Sequence, residues 1–504
     1  MSLTLWCLIS VQIILGGFDT LFHHEFTERL PWRHGQAKEL KLHSIRCFIY
    51  AIVFALIGVT EPKGLFAGTL LVLMLVEIGI TLTDFVEEDL TRKLPASERV
   101  LHTLLAINFG AILAFFAPVL WHWSTEPTGL ASAPHGPVWS GVMIACAVGV
   151  AGFGLRDWLA SERQKKLPEK SAIGLLASEL EAKNILITGG TGFIGRRLVE
   201  ALNAVGADVT VLTRNPANAA SLTHPVRVIT SLDQIRSDTP LFAIVNLAGE
   251  PIVGGLWTKR FRQKLLTSRT QMTSDLVELV KRLETRPEVV VSGSAIGVYG
   301  ANLKRPVCDN SVVRDDGSFS QKLCQAWEAE ASRFSEQGIR TVLLRTGIVL
   351  DTSGGTLGQM LFPFEYGIGG PFGSGRQIMS WITRDDLVRL IGHALDKTAV
   401  RGPLNGVTPK PVTNRAFSQT LGKVLHRPSF LPIPGPVLRT GLGDLAREIF
   451  LANQDVRPAK ALETGFRFQH TSLENALTDM IRVCPSDQNQ VRAQTDRIST
   501  SQHT

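Results

Sequence analysis

The sequence has little tyrosine and no patterned cysteine. Its three tyrosines are Tyr50, Tyr299 and Tyr366, and the residues four further on are Phe54, Leu303 and Gly370, so no Tyr-x-x-x-Lys acid/base pair can be drawn. The six cysteines (Cys7, Cys47, Cys146, Cys308, Cys324, Cys484) include no Cys-x-x-Cys and follow no regular spacing. That argues against a zinc site and a disulfide framework, and suits a reducing compartment for the soluble part. No Lys or Arg precedes Arg29, so the first apolar run lacks the basic flank of a cleavable signal peptide and reads as a retained span. Basic residues outnumber acidic ones, 52 to 45, for a net charge of +7, but they form no long run. Nucleic acid is therefore not an expected partner.

What is present divides unevenly along the chain. Apolar stretches cover 2–21, 43–60, 64–83, 101–121 and 137–155, each near the ~20 residues that cross a bilayer. The loops provide a separate check. Arg29, Arg33, Lys38 and Lys41 follow the first stretch, Arg92, Lys93 and Arg99 the third, and Arg156, Arg163, Lys165 and Lys166 the fifth. The alternate loops hold Lys63 alone and, between Trp121 and Trp139, no basic residue. Basic loops stay cytoplasmic. The expectation is an all-α transmembrane domain over 1–156 in a bacterial plasma (inner) membrane, with the N-terminus outside, the lipid bilayer as a partner and the remaining chain in the cytoplasm.

Polar residues crowd the inner ends of these stretches: Asp19, His23, His24, Glu25, Glu28, His43, Glu77, Asp84, Glu87, Glu88, Asp89 and His102. Asp19 with His23, and Glu77 with Asp84, share helix faces, the arrangement of a metal or quinone site between helices. The alternative is structural pairing with Arg29, Arg33, Arg46 and Arg92 at the membrane surface. No metal ligands are assigned from the sequence.

A linker is expected over 157–183, charged at Ser161-Glu-Arg-Gln-Lys-Lys166 and amphipathic from Ala172 to Leu180, lying against the membrane or the next domain. Then Asn184-Ile-Leu-Ile-Thr-Gly-Gly-Thr-Gly-Phe-Ile-Gly195 runs an apolar strand into three spaced glycines and a helical pattern. This is the form of a dinucleotide cradle. Gly189 permits the turn, Gly192 lets backbone approach the pyrophosphate, and Gly195 lets the helix pack on its strand. Strand-like and helix-like segments alternate beyond it: Ile185 to Thr188, Ile194 to Val205, Asp208 to Thr213, Phe242 to Leu247, Val289 to Ser292 and Thr341 to Arg345. The fold class is α/β, a doubly wound parallel (Rossmann) sheet. The second strand ends in Arg214, where an acid would bind the ribose 2′-OH of NAD; arginine there favours a 2′-phosphate and hence NADP over NAD, unless it is a plain surface residue.

Four segments carry a family resemblance: Thr188-Gly-Gly-Thr-Gly-Phe-Ile-Gly195, Val245-Asn-Leu-Ala-Gly-Glu-Pro251, Ser292-Gly-Ser-Ala-Ile-Gly-Val-Tyr-Gly300 and Leu344-Arg-Thr-Gly-Ile-Val-Leu350. They resemble the extended short-chain dehydrogenase/reductases. With Leu323-Cys-Gln-Ala-Trp-Glu328 and Gly373-Ser-Gly-Arg-Gln-Ile-Met-Ser-Trp-Ile382, the chain is similar to their atypical epimerase-like subgroup. Leu425-His-Arg-Pro428, Arg457-Pro458 and Leu462-Glu-Thr-Gly-Phe-Arg-Phe468 resemble the small C-terminal domain of unknown function that this subgroup carries. The resemblance covers approximately 184–481. It implies that Gly189, Thr191, Gly192, Phe193, Ile194 and Gly195 hold the pyrophosphate, Arg214 the 2′-phosphate, and Leu247, Ala248 and Gly249 the adenosine side.

Standard members use the Tyr-x-x-x-Lys pair that is missing here, and by their distance to Arg345 its positions fall on Ser320 and Cys324. The resemblance leaves Ser294 as hydrogen-bond donor to a carbonyl or carbinol. Tyr299 either takes over proton transfer or packs above the cofactor cleft, and Cys324 and Lys322 are weaker candidates. The glycine-rich segment 367–387 occupies the place of the family's substrate loop, with Arg376, Gln377, Ser380 and Trp381 as pocket residues; Trp381 and Ile382 can equally begin a strand, with Asp385 capping the next helix. The resulting layout is 1–156 transmembrane, 157–183 linker, 184–420 nucleotide-binding Rossmann domain, 421–481 small C-terminal α/β substrate domain and 482–504 disordered tail. The expected function is a membrane-anchored NADP-dependent oxidoreductase or epimerase acting on a small molecule by hydride transfer, with a non-catalytic NADP sensor or scaffold as the alternative. A homo-oligomer is compatible with either.

Overall fold

The computed structural model describes residues 2–33, 35–92, 94–166 and 171–482. The tail expected to be disordered lies outside them from 483 onward. The described residues form two compact units, divided between 166 and 171.

In the first unit, helix α1 (Leu3–Phe18) continues into a π-helical stretch, Asp19–Thr27, and is followed by α2 (Ala37–Val59), strand β1 (Thr60–Lys63), α3 (Leu65–Thr91), α4 (Ala96–Ser124), β2 (Gly129–Ser132) and α5 (Gly136–Lys166). Among the described residues, five helices are thus long and apolar enough to cross a membrane. Each coincides with an expected stretch and extends past it, because amphipathic turns at the ends remain helical where hydropathy has already fallen. The helices bury a narrow seam that includes Leu5, Ile57, Leu70, Phe116 and Met143, while large apolar residues such as Leu65, Ile107, Trp121 and Val148 face outward. Such an apolar exterior suits hydrocarbon rather than water. Close packing comes from small residues: a Cβ on Gly154 of α5 would lie 2.9 Å from the Cβ of Cys47 on α2, and Ser44 Oγ donates to the Gly154 carbonyl at 2.7 Å. β1 and β2 pair antiparallel across one end.

The polar helix ends are heavily paired. His43 Nδ1 meets Asp157 at 2.6 Å, Arg46 bridges Asp84 and Glu77, and Arg33 reaches Glu28. Arg92 holds Glu39 and Glu98. Glu77 and Asp84 are therefore joined through Arg46, as the structural alternative expects. Asp19 and His23 are joined directly, at 2.9 Å.

In the second unit the elements are β3 (Asn184–Thr188), α6 (Phe193–Ala204), β4 (Asp208–Leu212), β5 (Arg227–Ile229), β6 (Ala243–Asn246), α7 (Lys259–Arg282), β7 (Val289–Ala295), α8 (Phe319–Glu336) and β8 (Arg340–Thr346). Then come β9 (Ile348–Asp351), α9 (Gly355–Glu365), β10 (Ile378–Met379), β11 (Trp381–Thr383), α10 (Arg384–Asp396), β12 (Gly402–Gly406), β13 (Val412–Thr413), α11 (Asn414–Leu425), α12 (Gly435–Leu442), α13 (Ala459–Glu463) and α14 (Leu473–Ile481). Seven strands form one sheet in the order β5-β4-β3-β6-β7-β8-β12, all pairs parallel. The strand interiors are continuous apolar runs because helices cover both faces. Ile185, Ile187, Val245 and Val291 point to one core, shared with Leu198 of α6 and Ile391 of α10. Leu186, Ile244 and Val290 point to the other, shared with Leu276 of α7 and Phe334 of α8. Strand order reverses between β3 and β6, which opens a crevice at their carboxyl ends.

Two strands of this seven-stranded sheet escape the sequence pattern, β5 and β12. Both are outermost in the sheet, and β12 contains Pro403, which an edge strand tolerates. The stretch expected as a linker divides: residues to Lys166 continue α5, whereas Ala172, Leu176 and Leu180 are buried in the core of the second unit, Leu176 lying against Gly392 of α10. Within 421–481 the described elements are helices, tied to the sheet unit by bridges pairing Asn302 with Asn453 and Val307 with Val456.

Candidate active site

The crevice begins at the turn from β3 to α6. Gly189 has φ +73°, and a Cβ there would lie 2.7 Å from the Leu247 carbonyl group, so a side chain is excluded by both backbone and space. A Cβ on Gly195 would collide with the Gly189 carbonyl oxygen and sit 2.7 Å from the Gly190 Cα. Helix α6 can approach the strand only because that atom is missing. Gly192 is the N-cap, and its amide donates to the Gly189 carbonyl at 2.9 Å, leaving the first turn of α6 with amides free for an anion. Thr191, Phe193 and Ile194 complete this turn. Phe193 packs on Gly354 and Gly355 and lies 5.3 Å from the Arg384 guanidinium.

The β6 end is pinned from below. Thr188 Oγ1 donates to Asn246 Oδ1 at 2.7 Å and accepts from the Ala248 amide at 3.3 Å, while Asn246 Nδ2 donates to Thr273 of α7. Leu247, Ala248 and Gly249 therefore leave the sheet beside the glycine turn. Register pairs Thr188 with Leu212, so Arg214, exposed and two residues beyond β4, lies at the same edge of the crevice. These features fit a dinucleotide: a glycine turn that side chains would fill, a helix N-terminus and a basic residue at the end of the second strand.

Ser294 lies near the carboxyl end of β7, in register with Arg345 of β8. Its hydroxyl donates to Glu328 Oε1 of α8 at 2.7 Å. Arg345 clamps the same carboxylate, Nε to Oε1 at 2.8 Å and Nη2 to Oε2 at 2.7 Å. Nη1 of Arg345 donates to the Tyr299 hydroxyl at 2.9 Å, and that hydroxyl donates to Asn405 Oδ1 of β12 at 2.9 Å. Asp309 closes the network, accepting from the amides of Asn405 and Lys460. Burial alone would lower the Arg345 pKa, but the hydrogen bonds and charge of Glu328 outweigh it and hold the guanidinium charged. Burial raises the Tyr299 phenol, and the Arg345 charge only partly offsets this.

Ser294 and Tyr299 thus belong to one buried network, but at opposite ends of Arg345. Tyr299 is held by Arg345 and Asn405 and packs with Ile296, Cys324 and Val456. Cys324 is buried, and its thiol is pushed up to about 12, first by burial and then by the charge of Glu328. It is no nucleophile in this state. Ser320 lies beside it under Gly297, and Lys322 is exposed.

Sequence reasoning did not single out Glu328 or Arg269. Glu328 follows Ser320 and Cys324 at the next i+4 step of α8, so the helix period carries the signal for it. Arg269 of α7 donates to the carbonyls of Glu250 and Leu265, lies 5.2 Å from the Trp327 ring, and would be touched by any Cβ at Gly249. It props the wall formed by Leu247, Ala248 and Gly249.

Of the four pocket residues expected in the substrate loop, only Arg376 is exposed. Gln377 donates to the carbonyls of Phe372 and Phe450, Ser380 Oγ to that of Gln454, and the fully buried Trp381 to that of Lys410. Gln377 and Ser380 thereby fasten the C-terminal segment to the sheet unit, while Trp381 is tied within it. Trp381 and Ile382 begin a strand, β11, paired with β9. The cap of α10 is Thr383, whose hydroxyl accepts from the Asp386 amide, and not Asp385, because Asp385 already lies inside the helix and pairs with Arg197 at 2.8 Å.

Comparison with known proteins agrees with this geometry. Residues 185–405 match the NAD dependent epimerase/dehydratase family, and residues 433–480 match a domain of unknown function, DUF1731. The epimerase family protein YfhF of Bacillus subtilis (strain 168) is 34% identical over 301 residues, covering 59% of this chain and 98% of that protein. The epimerase family protein SDR39U1 of Homo sapiens is 37% identical over 59% of this chain and 99% of its own length. A crystal structure of the human SDR39U1 (isoform 2) with NADPH superposes with a TM-score of 0.53 at 34% identity, covering 59% of this chain and 99% of that one. With the glycine cradle, the parallel sheet and relatives spanned almost end to end, this chain belongs to the NAD dependent epimerase/dehydratase family.

Proposed function

We propose that the protein is a membrane-anchored, NADP-dependent epimerase-like oxidoreductase that acts on a small carbonyl or carbinol substrate. The observation that carries the reading is the hydrogen bond from Ser294 to Glu328 at the carboxyl end of β7, beside a cradle shaped for a dinucleotide. Gly189 to Gly195 would hold the pyrophosphate and Arg214 the 2′-phosphate, in keeping with the NADPH of the human relative's crystal structure. The bound nicotinamide supplies a hydride donor or acceptor. The chain's own residues handle the proton. Because the Ser294 hydrogen is committed to Glu328, its oxygen is left as an acceptor. A substrate carbinol donating to that oxygen passes its proton to Ser294 as the serine proton moves to Glu328, and the reverse sequence serves a carbonyl. Arg345 positions the carboxylate, and Tyr299 positions Arg345. In this reading Glu328 replaces the absent Tyr-x-x-x-Lys pair.

The apolar exterior of the five helices and the basic loops support an anchored protein with its sheet unit in the cytoplasm and its N-terminus outside. A non-catalytic NADP sensor is the second reading, favoured by the full commitment of the Tyr299 hydroxyl to Arg345 and Asn405. The deciding experiment purifies the chain in mild detergent, identifies the bound nucleotide and follows its redox state with carbonyl and sugar-like additives. Turnover that disappears in Ser294→Ala while NADPH affinity stays within about twofold supports the enzyme; turnover that survives in Ser294→Ala refutes the site. NADP that stays bound and never changes redox state moves the assignment to the sensor.

A further inference from the structure

The first unit contains a second polar centre, unrelated to the nucleotide cleft. Asp19, His24, Glu98 and His102 are all buried, and one ligand-capable atom of each lies within 4.8 Å of the others. Asp19 and His24 come from the π-helical stretch after α1, a rare geometry that tends to mark functional sites. Glu98 and His102 occupy one face of the start of α4. His102 Nε2 is 3.1 Å from Asp19 Oδ2, and His24 Nε2 is 3.6 Å from the same oxygen and 3.9 Å from Glu98 Oε1.

Hydrogen bonding does not complete this arrangement. His24 is 5% exposed, and its Nε2 has no hydrogen-bond partner although it faces two carboxylate oxygens. The charges are also uneven. Glu39, Glu88 and Glu98 all converge on Arg92, and Asp19 adds a fourth buried carboxylate beside them. Burying anions without matching positive charge is unfavourable, and a cation between them supplies it. The surrounding groups already orient the four side chains. Asp19 Oδ1 accepts from His23 Nδ1 at 2.9 Å, which leaves Oδ2 toward the centre; Glu88 Oε2 lies 3.3 Å from His102 Nδ1, which leaves Nε2 inward; Arg92 fixes Glu98. A carboxylate behind a ligating imidazole is the usual support of a metal ligand.

We propose that Asp19, His24, Glu98 and His102 bind one divalent transition-metal ion. With metal–ligand bonds of ~2.0–2.2 Å, neighbouring ligand atoms of a tetrahedral site stand ~3.3–3.6 Å apart. The separations of 3.1, 3.6 and 3.9 Å bracket that value, so small side-chain rotations close the shell. Two imidazoles with two carboxylates select zinc, iron or manganese over magnesium or calcium.

The test uses the full-length, tag-free chain in mild detergent. Metal content is measured as purified, then after chelator stripping and titration with Zn²⁺, Mn²⁺ and Fe²⁺ separately. One equivalent of one of these ions per chain is expected, with a rise in thermal stability on rebinding. His24→Gln and His102→Gln should each weaken binding by more than about tenfold, while His122→Gln, on an exposed histidine of the same unit, should not. Circular dichroism and gel filtration identify variants that fail to fold; the stripped wild-type chain still decides the question if both do. A folded, stripped protein that takes up no ion overturns the proposal, as does equal affinity in a folded His24→Gln variant.

Discussion

Replacing Glu328 with alanine should cost the sheet unit more than any other single truncation in the crevice. The carboxylate accepts three hydrogen bonds, from Ser294 at 2.7 Å and from Arg345 at 2.8 and 2.7 Å, with side-chain exposures of 12% for Glu328 and 6% for Arg345. Removing it leaves a buried guanidinium with Tyr299 and the Asp309 carbonyl as acceptors. Breaking one side of such a pair costs about 3–5 kcal/mol. In a unit of this size each kcal/mol moves the midpoint by roughly 2 °C, so a fall of about 6–10 °C is expected. Glu328→Gln keeps the volume but turns an amide N–H toward Arg345 Nη2, and should lose about 1.5–3 kcal/mol. The assay is thermal unfolding of the detergent-solubilised chain followed by tryptophan fluorescence, to which the adjacent Trp327 contributes. A third variant separates lost charge from lost packing. Glu328→Ala with Arg345→Met removes both ions, and should recover more than half of the single-variant loss. If Glu328→Ala costs less than about 1 kcal/mol, the pair is solvated and its role as a preorganised proton acceptor fails with it.

Gly195→Ala should weaken NADPH binding at least about tenfold and destabilise the unit by about 1–3 kcal/mol, because the added carbon meets backbone that cannot yield; unchanged affinity by fluorescence titration would contradict the cradle. Arg214→Ala should reduce NADPH affinity by about 1.5–3 kcal/mol while leaving NADH affinity unchanged, and an equal loss for both would make Arg214 a surface residue. The Cys324 thiol, raised to about 12 by burial, is protonated in the folded state at pH values where an unfolded thiol ionises. Its contribution to stability is therefore complete below about pH 9 and declines as pH rises toward 12. Denaturation midpoints across that range should fall less steeply in Cys324→Ala, and identical slopes would refute the shift.

The sheet was legible because its strands, buried on both faces, are apolar runs that need no partner to be recognised: Ile185 to Thr188 and Val289 to Ser292 read as strands before any packing is known. The five long apolar helices were legible for the same reason. Edge strands were not, because an outer strand such as Gly402–Gly406 is specified by its register with β8 rather than by its own composition. The cradle could be read residue by residue, since its glycines answer a local steric demand. The network behind it could not. Ser294, Glu328, Arg345, Tyr299 and Asn405 come from four separate segments, and sequence spacing says nothing about which of two hydroxyls Arg345 will engage. That choice decides the chemistry. With Tyr299 fixed to Arg345 and Asn405, and Ser294 directed at Glu328, the carboxylate stands one helical turn beyond Cys324, the position that the family resemblance implies for the absent lysine. In the proposed reading, a serine set against a carboxylate clamped by arginine stands in for the phenol and ammonium that the resemblance implies. The predicted consequence is a site whose activity follows Glu328 and Ser294 and is insensitive to the acidity of any tyrosine. Tyr299→Phe should then keep its turnover and lose only stability, about 1.5–3 kcal/mol for the bond from the charged Arg345 together with the bond to Asn405; abolished turnover in a folded Tyr299→Phe protein would return the proton to the phenol.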